Sequence, residues 1–292
     1  MTSSVWLLLV LSIPLTMHSL MELTEAYGIC YGMMGNNLPP ASDVVAFYKK
    51  LNVTSMRLFD PNTAALQALK GSGINVALGV LNADIPQIAS SMDGANQWFT
   101  TNVAPYINDV SISYITVGNE VIPGQFAAQV LPAMQNLQNI LKRKSLQRIK
   151  VSTVVATVVL GTSYPPSAGA FSNDAIAFLS VRDGNLGYQN LFDAIVDAFF
   201  SAMEKVGISN VDIVVSESGW PSDGNGVFTT PNLAATYNKN FITHISQGGT
   251  PKRPNTRIEG YIFALFNENL KPPGVEQNFG LFYPNFTAVY QI

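Results

Sequence analysis

The sequence predicts an α/β chain folded as a (β/α)8 TIM barrel that lacks its sixth strand, after Ser180. Three observations carry this prediction. Apolar strand-like runs alternate with amphipathic helical stretches, the pattern of a parallel sheet with crossover helices. Glutamates stand where strands end, which is the polarity of a barrel's active face. Only seven strands can be counted in a fold that closes with eight.

Tyr27 to Tyr31 reads as the first strand. A loop through Asn36, Asn37, Pro39 and Pro40 follows, and Ser42 is a candidate N-cap. The helix from Asp43 to Leu51 carries Val44, Phe47, Tyr48 and Leu51 at helical spacing. Ser55 to Asp60 is the second strand. Leu66 and Leu69 mark a helix that Gly71 and Gly73 end. Ile74 to Val80 is the third strand, and a helical pattern runs from Asp93 through Trp98 to Val103, Tyr106 and Ile107. Ser113 to Val117 is the fourth strand, ending at Asn119 and Glu120. Val130, Met134, Leu137 and Leu141 define a long helix, and Ile149 to Val155 the fifth strand. Tyr164 to Gly169 is a loop and Asp174 to Leu179 a short helix. Ser180 then runs into Val181-Arg-Asp-Gly184 with no strand between. Leu191, Ile195, Phe199 and Met203 form the next helix. Ile213, Val214 and Val215 lead a buried strand to Glu217. Leu233, Tyr237, Phe241 and Ile245 mark a helix, and Gly260 to Phe266 is the last strand, ending at Asn267 and Glu268.

Composition narrows the chemistry. With 292 residues, 47% hydrophobic and 12% charged, the chain can build a sizeable core. A net charge of −3 leaves no electrostatic footprint for nucleic acid. The basic run Lys142-Arg143-Lys144 falls at a helix end, where the dipole favours cations. Val5 to Leu15 is an apolar run too short to span a bilayer, and Thr24-Glu25-Ala26 offers small residues for cleavage. Residues 1–26 are therefore expected to be a signal peptide that directs export, and 27–292 a single domain.

After the leader, Cys30 is the one cysteine and His244 the one histidine. That rules out a disulfide framework, a Cys/His zinc site and a Ser-His-Asp triad. Cys30 is expected in the core and His244 on a helix as a satisfied or surface residue. No metal or organic cofactor is implied. With the sequence ending at Tyr290-Gln-Ile292, neither an appended binding module nor a hydrophobic tail for a lipid anchor is expected. Asn52-Val-Thr54 and Asn285-Phe-Thr287 are candidate glycosylation sites.

Carboxylate chemistry remains. Glu217 and Glu120 each sit at the tip of an apolar strand in a Gly-flanked context. A buried carboxylate is costly without a partner or a task. Two at matching positions are what glycoside cleavage uses. One protonates the leaving oxygen, and the other attacks the sugar or activates water.

Several motifs together resemble the plant β-1,3-glucanases of glycoside hydrolase family 17. They are Gly28-Ile-Cys-Tyr-Gly-Met33, Met56-Arg-Leu-Phe-Asp-Pro61, Val117-Gly-Asn-Glu120, Ser163-Tyr-Pro-Pro-Ser-Ala-Gly169, Val215-Ser-Glu-Ser-Gly-Trp-Pro221, Phe266-Asn-Glu-Asn269 and Phe279-Gly-Leu-Phe282. The resemblance covers nearly the whole chain after the leader. It implies retaining endo-hydrolysis of β-1,3-glucans, with Glu217 as nucleophile and Glu120 as acid/base, and a place in the cell wall or apoplast; a monomer is expected. Glu268 and Lys271 match a supporting Glu-x-x-Lys pair, in which the cation would keep Glu217 ionised. Tyr31, Asn119 and Trp220 are implied as substrate-binding or supporting residues, with Trp220 mainly packing behind the nucleophile loop. Phe59 stands where the family more usually has Tyr, and core packing is its expected role.

The resemblance also marks a departure. The family carries, after the helix at Asp174 to Leu179, a strand ending in an aromatic-rich Asn-x-Tyr-Pro-Tyr-Phe motif and a long loop. Neither is present here. Losing an internal strand unpairs its neighbours' backbones and exposes sheet edges. Two alternatives follow: an inert glucan-binding wall protein, or an enzyme acting on mixed β-1,3-1,4-glucan.

Overall fold

The computed structural model describes residues 27–162, 170–171 and 190–292. The leader, the loop at 164–169, the helix at 174–179 and the Ser180–Val181 join lie outside the described residues.

Seven strands form one sheet: β1 (Tyr27–Tyr31), β2 (Ser55–Leu58), β3 (Asn75–Val80), β4 (Ser111–Asn119), β5 (Lys150–Val154), β8 (Val214–Ser218) and β9 (Glu259–Ile262). A small antiparallel hairpin, β6 (Leu160–Thr162) with β7 (Ala170–Phe171), stands apart from it and has no counterpart in the sequence prediction. Every pairing in the large sheet is parallel, in the order β5-β4-β3-β2-β1-β9-β8. The first and last strands are therefore neighbours, with Tyr27 opposite Gly260 and Ile29 opposite Ile262. That adjacency is how a parallel sheet curls into a barrel. Among the described residues β5 and β8 are the two outer strands. The gap falls where the strand count puts the absent sixth strand.

Burial follows the same geography. β3 is buried from Val76 to Val80, whereas all five residues of β8 are only half-buried. Seven helices cover the outside: α1 (Ala41–Lys50), α2 (Thr63–Leu69), α3 (Ile85–Ser90), α4 (Met92–Asn102), α5 (Ala127–Arg143), α6 (Leu191–Glu204) and α7 (Pro231–Gln247) among the described residues. Their apolar faces meet the sheet in one large core. A second, small cluster of Cys30, Ala77, Tyr261 and Ala264 fills the inside of the curl, with Phe59 and Phe263 against it.

Several local expectations are corrected. Ser42 does not cap α1. The helix starts at Ala41, because the amides of Asp43 and Val44 already donate to the Pro40 carbonyl. The helical pattern through Val103, Tyr106 and Ile107 ends earlier in the backbone. α4 stops at Asn102, and Val103 and Tyr106 reach the core from turns. The last strand is regular only to Ile262. Beyond it, the Phe263 and Leu265 amides still donate to Ser218 and Cys30 of the flanking strands, while Ala264 and Leu265 also exchange backbone bonds with Phe279, Leu281 and Phe282 of the chain's own tail. On α7 the buried face is Ala234, Asn238, Phe241 and Ile245, while Leu233 is exposed.

Other expectations hold. Cys30 is fully buried. Lys142 and Arg143 occupy the last turn of α5. His244 is satisfied by Asp193, with Nε2 2.7 Å from Oδ1.

Candidate active site

Both strand-end glutamates leave the sheet at a break in register. The β4–β5 pairing shifts between Thr116 and Asn119, just before Glu120. The β8–β9 pairing shifts between Val215 and Ser218, across Glu217. Such irregularities re-aim a side chain at the end of a strand. Glu120 itself has a left-handed backbone, with φ 53°. A non-glycine residue in that region is uncommon and concentrates at functional sites. Gly118 makes the turn possible: its φ is 78°, and a Cβ there would lie 2.6 Å from Val121 Cγ2.

Arg57, from the middle of β2, ties the two strand ends together. Its Nη1 donates to Glu217 Oε1 at 2.6 Å and to the Ser216 carbonyl at 3.0 Å. Its Nη2 donates to Asn119 Oδ1 at 2.6 Å. The Phe59 ring lies under the guanidinium, 4.3 Å from its centroid, and meets Phe263 edge-on at 6.0 Å. Phe59 thus packs against the inner cluster, as expected, and also serves as a platform for Arg57. The Arg57 side chain is only 2% exposed, so its charge depends on these partners. Its Nε has no hydrogen-bond partner among the described residues. Asn119 is held in turn by Asn82, which accepts from the Asn119 amide at 2.8 Å and donates to its carbonyl at 3.0 Å.

The Glu120 carboxyl is pushed up from its ordinary range, first by partial burial and then by the charge of Glu217. Glu276 adds to the shift and Arg57 opposes it. The residue as a whole remains open to solvent. One carboxylate is therefore ion-paired, and its neighbour is biased toward holding a proton.

Glu268 is the third carboxylate, and it is buried. Its Oε1 accepts the Met34 amide at 2.7 Å, and Lys271 Nζ lies 3.6 Å from Oε2. Gly32 presses on this carboxyl so closely that a Cβ there would stand 2.3 Å from Oε2. Lys271 also reaches Glu276 Oε2 at 3.8 Å and sits over the Phe263 ring at 4.1 Å. The cation touching Glu217 is therefore Arg57, and Lys271 serves Glu268 and Glu276. Cys30 lies beneath this set, its Sγ 3.4 Å from the Ser216 carbonyl. Burial pushes its thiol up, Glu217 and Glu268 add to that, and Arg57 counters it.

The remaining candidates lie around this centre. Tyr31, the last residue of β1, is buried, and burial raises its hydroxyl's pKa. Trp220 is 38% exposed, tilted against Tyr237 at 5.6 Å, and donates from Nε1 to the Phe228 carbonyl at 2.9 Å. Asn52 is exposed in the turn before β2, at the opposite end of the strands. Asn285 is exposed, its Oδ1 accepting from the Thr287 amide and hydroxyl. No cluster of metal-ligating side chains exists among the described residues.

Arg57 and Asn82 were not marked in the sequence as site residues. Arg57 carries a detectable signal: a charge inside the otherwise apolar run Ser-Met-Arg-Leu-Phe, where a cation survives only if paired. Asn82 carries none, since its partner is 37 residues away.

Comparison with known proteins agrees with this architecture. The family model described as glycosyl hydrolases family 17 matches residues 27–184 and 177–292. Its two matches meet where the sequence places the missing segment. A probable glucan endo-1,3-beta-glucosidase of Arabidopsis thaliana is 47% identical over 300 residues, covering 87% of this chain and 84% of the relative. That alignment is longer than the 292 residues available, so the relative has residues with no counterpart here. A chain from the structures of two plant beta-glucan endohydrolases with distinct substrate specificities superposes with TM-score 0.85 at 44% identity, covering 91% of this chain and 99% of that one. A beta-1,3-glucanase and pollen allergen of Cryptomeria japonica superposes equally well, with TM-score 0.85 at 43% identity over 91% of this chain and 98% of its own. The curled parallel sheet is thus that of the plant glucanase barrel, and the chain is a glycosidase belonging to glycosyl hydrolases family 17.

Proposed function

We propose that this chain hydrolyses internal β-1,3-linkages of glucans with retention at the anomeric carbon. The observation that supports this best is the unequal environment of the two carboxyls. Glu217 is ion-paired with Arg57, while Glu120 is biased toward its protonated form by partial burial and by Glu217. In this reading the protonated Glu120 carboxyl donates to the glycosidic oxygen as Glu217 attacks the anomeric carbon. The C–O bond to the leaving sugar breaks, and a glycosyl ester forms on Glu217. Water then attacks that ester, Glu120 takes its proton, and Glu217 leaves as a carboxylate. Retaining chemistry of this kind calls for carboxyl groups about 5–5.5 Å apart. Glu268, Lys271, Tyr31 and Asn119 support the substrate and the reacting pair.

The relatives named glucan endo-1,3-beta-glucosidase support the linkage. The pair of endohydrolases with distinct specificities warns that the fold alone does not set it. We further propose a chain exported through a leader at residues 1–26, working as a monomer on wall glucan. Among the described residues, no helix is long and apolar enough to cross a membrane.

One observation favours a second reading, an inert glucan-binding protein. The outer edges of β5 and β8 have no strand partner among the described residues, and β8 bears Glu217. The experiment that separates the two readings measures laminarin hydrolysis by residues 27–292 beside Glu217→Gln, with circular dichroism on both. Hydrolysis confined to the native chain supports the enzyme. A folded chain that retains laminarin without cutting it supports the inert protein.

A further inference from the structure

The loop between β8 and α7 begins just beyond Glu217 and carries two large apolar side chains in water. Val227 is 78% exposed and Phe228 67% exposed. Neither packs into the core, and an exposed apolar patch of this kind is a usual mark of a binding surface.

The loop is built to hold them out. Thr229 behind them is buried, and its Oγ1 accepts the Asn225 amide at 2.7 Å. The Phe228 carbonyl takes the Trp220 indole N–H, and Trp220 leans on Tyr237. The Tyr237 hydroxyl lies 2.8 Å from the Ser218 hydroxyl, next to Glu217 in the chain. On its other side the loop docks against residues 274–278. The Ser222 amide donates to the Asn278 carbonyl at 2.8 Å, its hydroxyl does so at 3.1 Å, and a Cβ on Gly224 would stand 2.4 Å from Gly274. That segment holds Glu276, which reaches Lys271 and acts on Glu120. The apolar tip is therefore tied to the segment that follows Glu217 on one side and to the segment that holds Glu276 on the other.

We propose that Phe228, flanked by Val227, is a sugar-binding platform at the rim of the cleft. It would take the apolar C–H face of a glucosyl ring further along the β-glucan chain than the ring being cleaved. This rests on the reading of the site as glucan-binding, and continuity with that site selects a glucan over other apolar occupants. An aromatic ring suits the task, since it offers a flat apolar face at little entropic cost.

The test is native gel electrophoresis with and without laminarin in the gel. It is run on Glu217→Gln, so that digestion cannot confuse it, and on the same chain carrying Phe228→Ala, Phe228→Leu or Phe228→Trp. Phe228→Ala is expected to weaken laminarin retardation by roughly three- to tenfold. Phe228→Leu should recover little of it, and Phe228→Trp should keep it. Melting temperatures should not change, because the side chain stands in water and its backbone carbonyl keeps the Trp220 bond. Unchanged retardation in Phe228→Ala, full recovery by Phe228→Leu, or no retardation of the parent would each overturn the platform. Hydrolysis by the native chain is scored separately. An active chain indifferent to Phe228→Ala keeps the proposed activity and loses the platform. An inactive chain whose binding depends on Phe228 does the reverse.

Discussion

Arg57 and Glu217 meet at 2.6 Å although 160 residues separate them in the chain. The same guanidinium holds Asn119, the residue before Glu120. One buried cation thus sets the positions of both strand ends that carry the proposed chemistry. Replacing it with Met removes a nearly fully buried partner and leaves Glu217 without its cation. Loss of one member of such a pair costs about 3–5 kcal/mol when both are buried, and less here because Glu217 is part-exposed. Arg57→Met should lower the denaturant midpoint and abolish turnover. Arg57→Lys should restore part of the stability but little of the rate, since one ammonium cannot span Glu217 and Asn119 as the fork does. Urea titration beside laminarin kinetics separates the two effects.

The raised pKa of Glu120 has two consequences of fixed sign. The first is kinetic. Protonation of the leaving oxygen requires Glu120 as the acid, so turnover should fall as the pH rises through its raised pKa. Glu120→Gln should lose that limb and run about 100- to 10,000-fold slower on laminarin. A substrate with a dinitrophenolate leaving group needs little protonation and should suffer much less in the first step. The second is thermodynamic. A carboxyl held above its unfolded pKa favours the folded state most below the unfolded value and loses that contribution as pH rises through the folded one. Glu120→Gln should therefore melt higher than the native chain at neutral pH, with the difference vanishing in acid. Scanning calorimetry across that range reads the sign directly.

Gly32 and Glu268 give a steric prediction. A methyl group at position 32 would stand 2.3 Å from the Glu268 carboxylate, which is buried and accepts the Met34 amide. Gly32→Ala should push the carboxyl off that amide and shift Lys271 with it. A displacement of 1 Å near reacting groups costs on the order of 100-fold in rate. Gly32→Ala should thus lose rate with a modest fall in melting temperature, whereas Gly71→Ala, at a glycine with open space and φ 63°, should lose stability without changing kcat. Equal rates in Gly32→Ala and the native chain would remove Glu268 from the account.

Much of this was legible in the sequence, for physical reasons that can be named. Ile213 to Val215 announced a strand because a short apolar run has few other uses, and its abrupt end marked Glu217, but the burial expected on both faces is not met, since all five residues of β8 are half-buried. Gly118 flanks the Asn119-Glu120 strand end in the sequence, and the structure adds that it turns the chain there with φ 78°. The seven strands of the large sheet were all countable, and the gap between β5 and β8 followed from the count. What escaped depends on distant partners. The Arg57 fork needs Ser216, Glu217 and Asn119 brought to it by closure of the sheet. The short helix α3 was missed because six residues give too little periodicity to read. The end of the last strand was misread because beyond Ile262 its bonds are shared between the neighbouring strands, through Ser218 and Cys30, and the tail at Phe279–Phe282.

Proton NMR of laminarin during the first minutes of digestion by residues 27–292 distinguishes attack by Glu217 from direct attack by water. If Glu217 attacks and Glu120 assists, the first reducing ends to appear carry the β-anomeric signal, and the α signal grows later by mutarotation. Glu217→Gln gives neither. An α signal appearing first would mean that water attacks directly, and would contradict Glu217 as nucleophile.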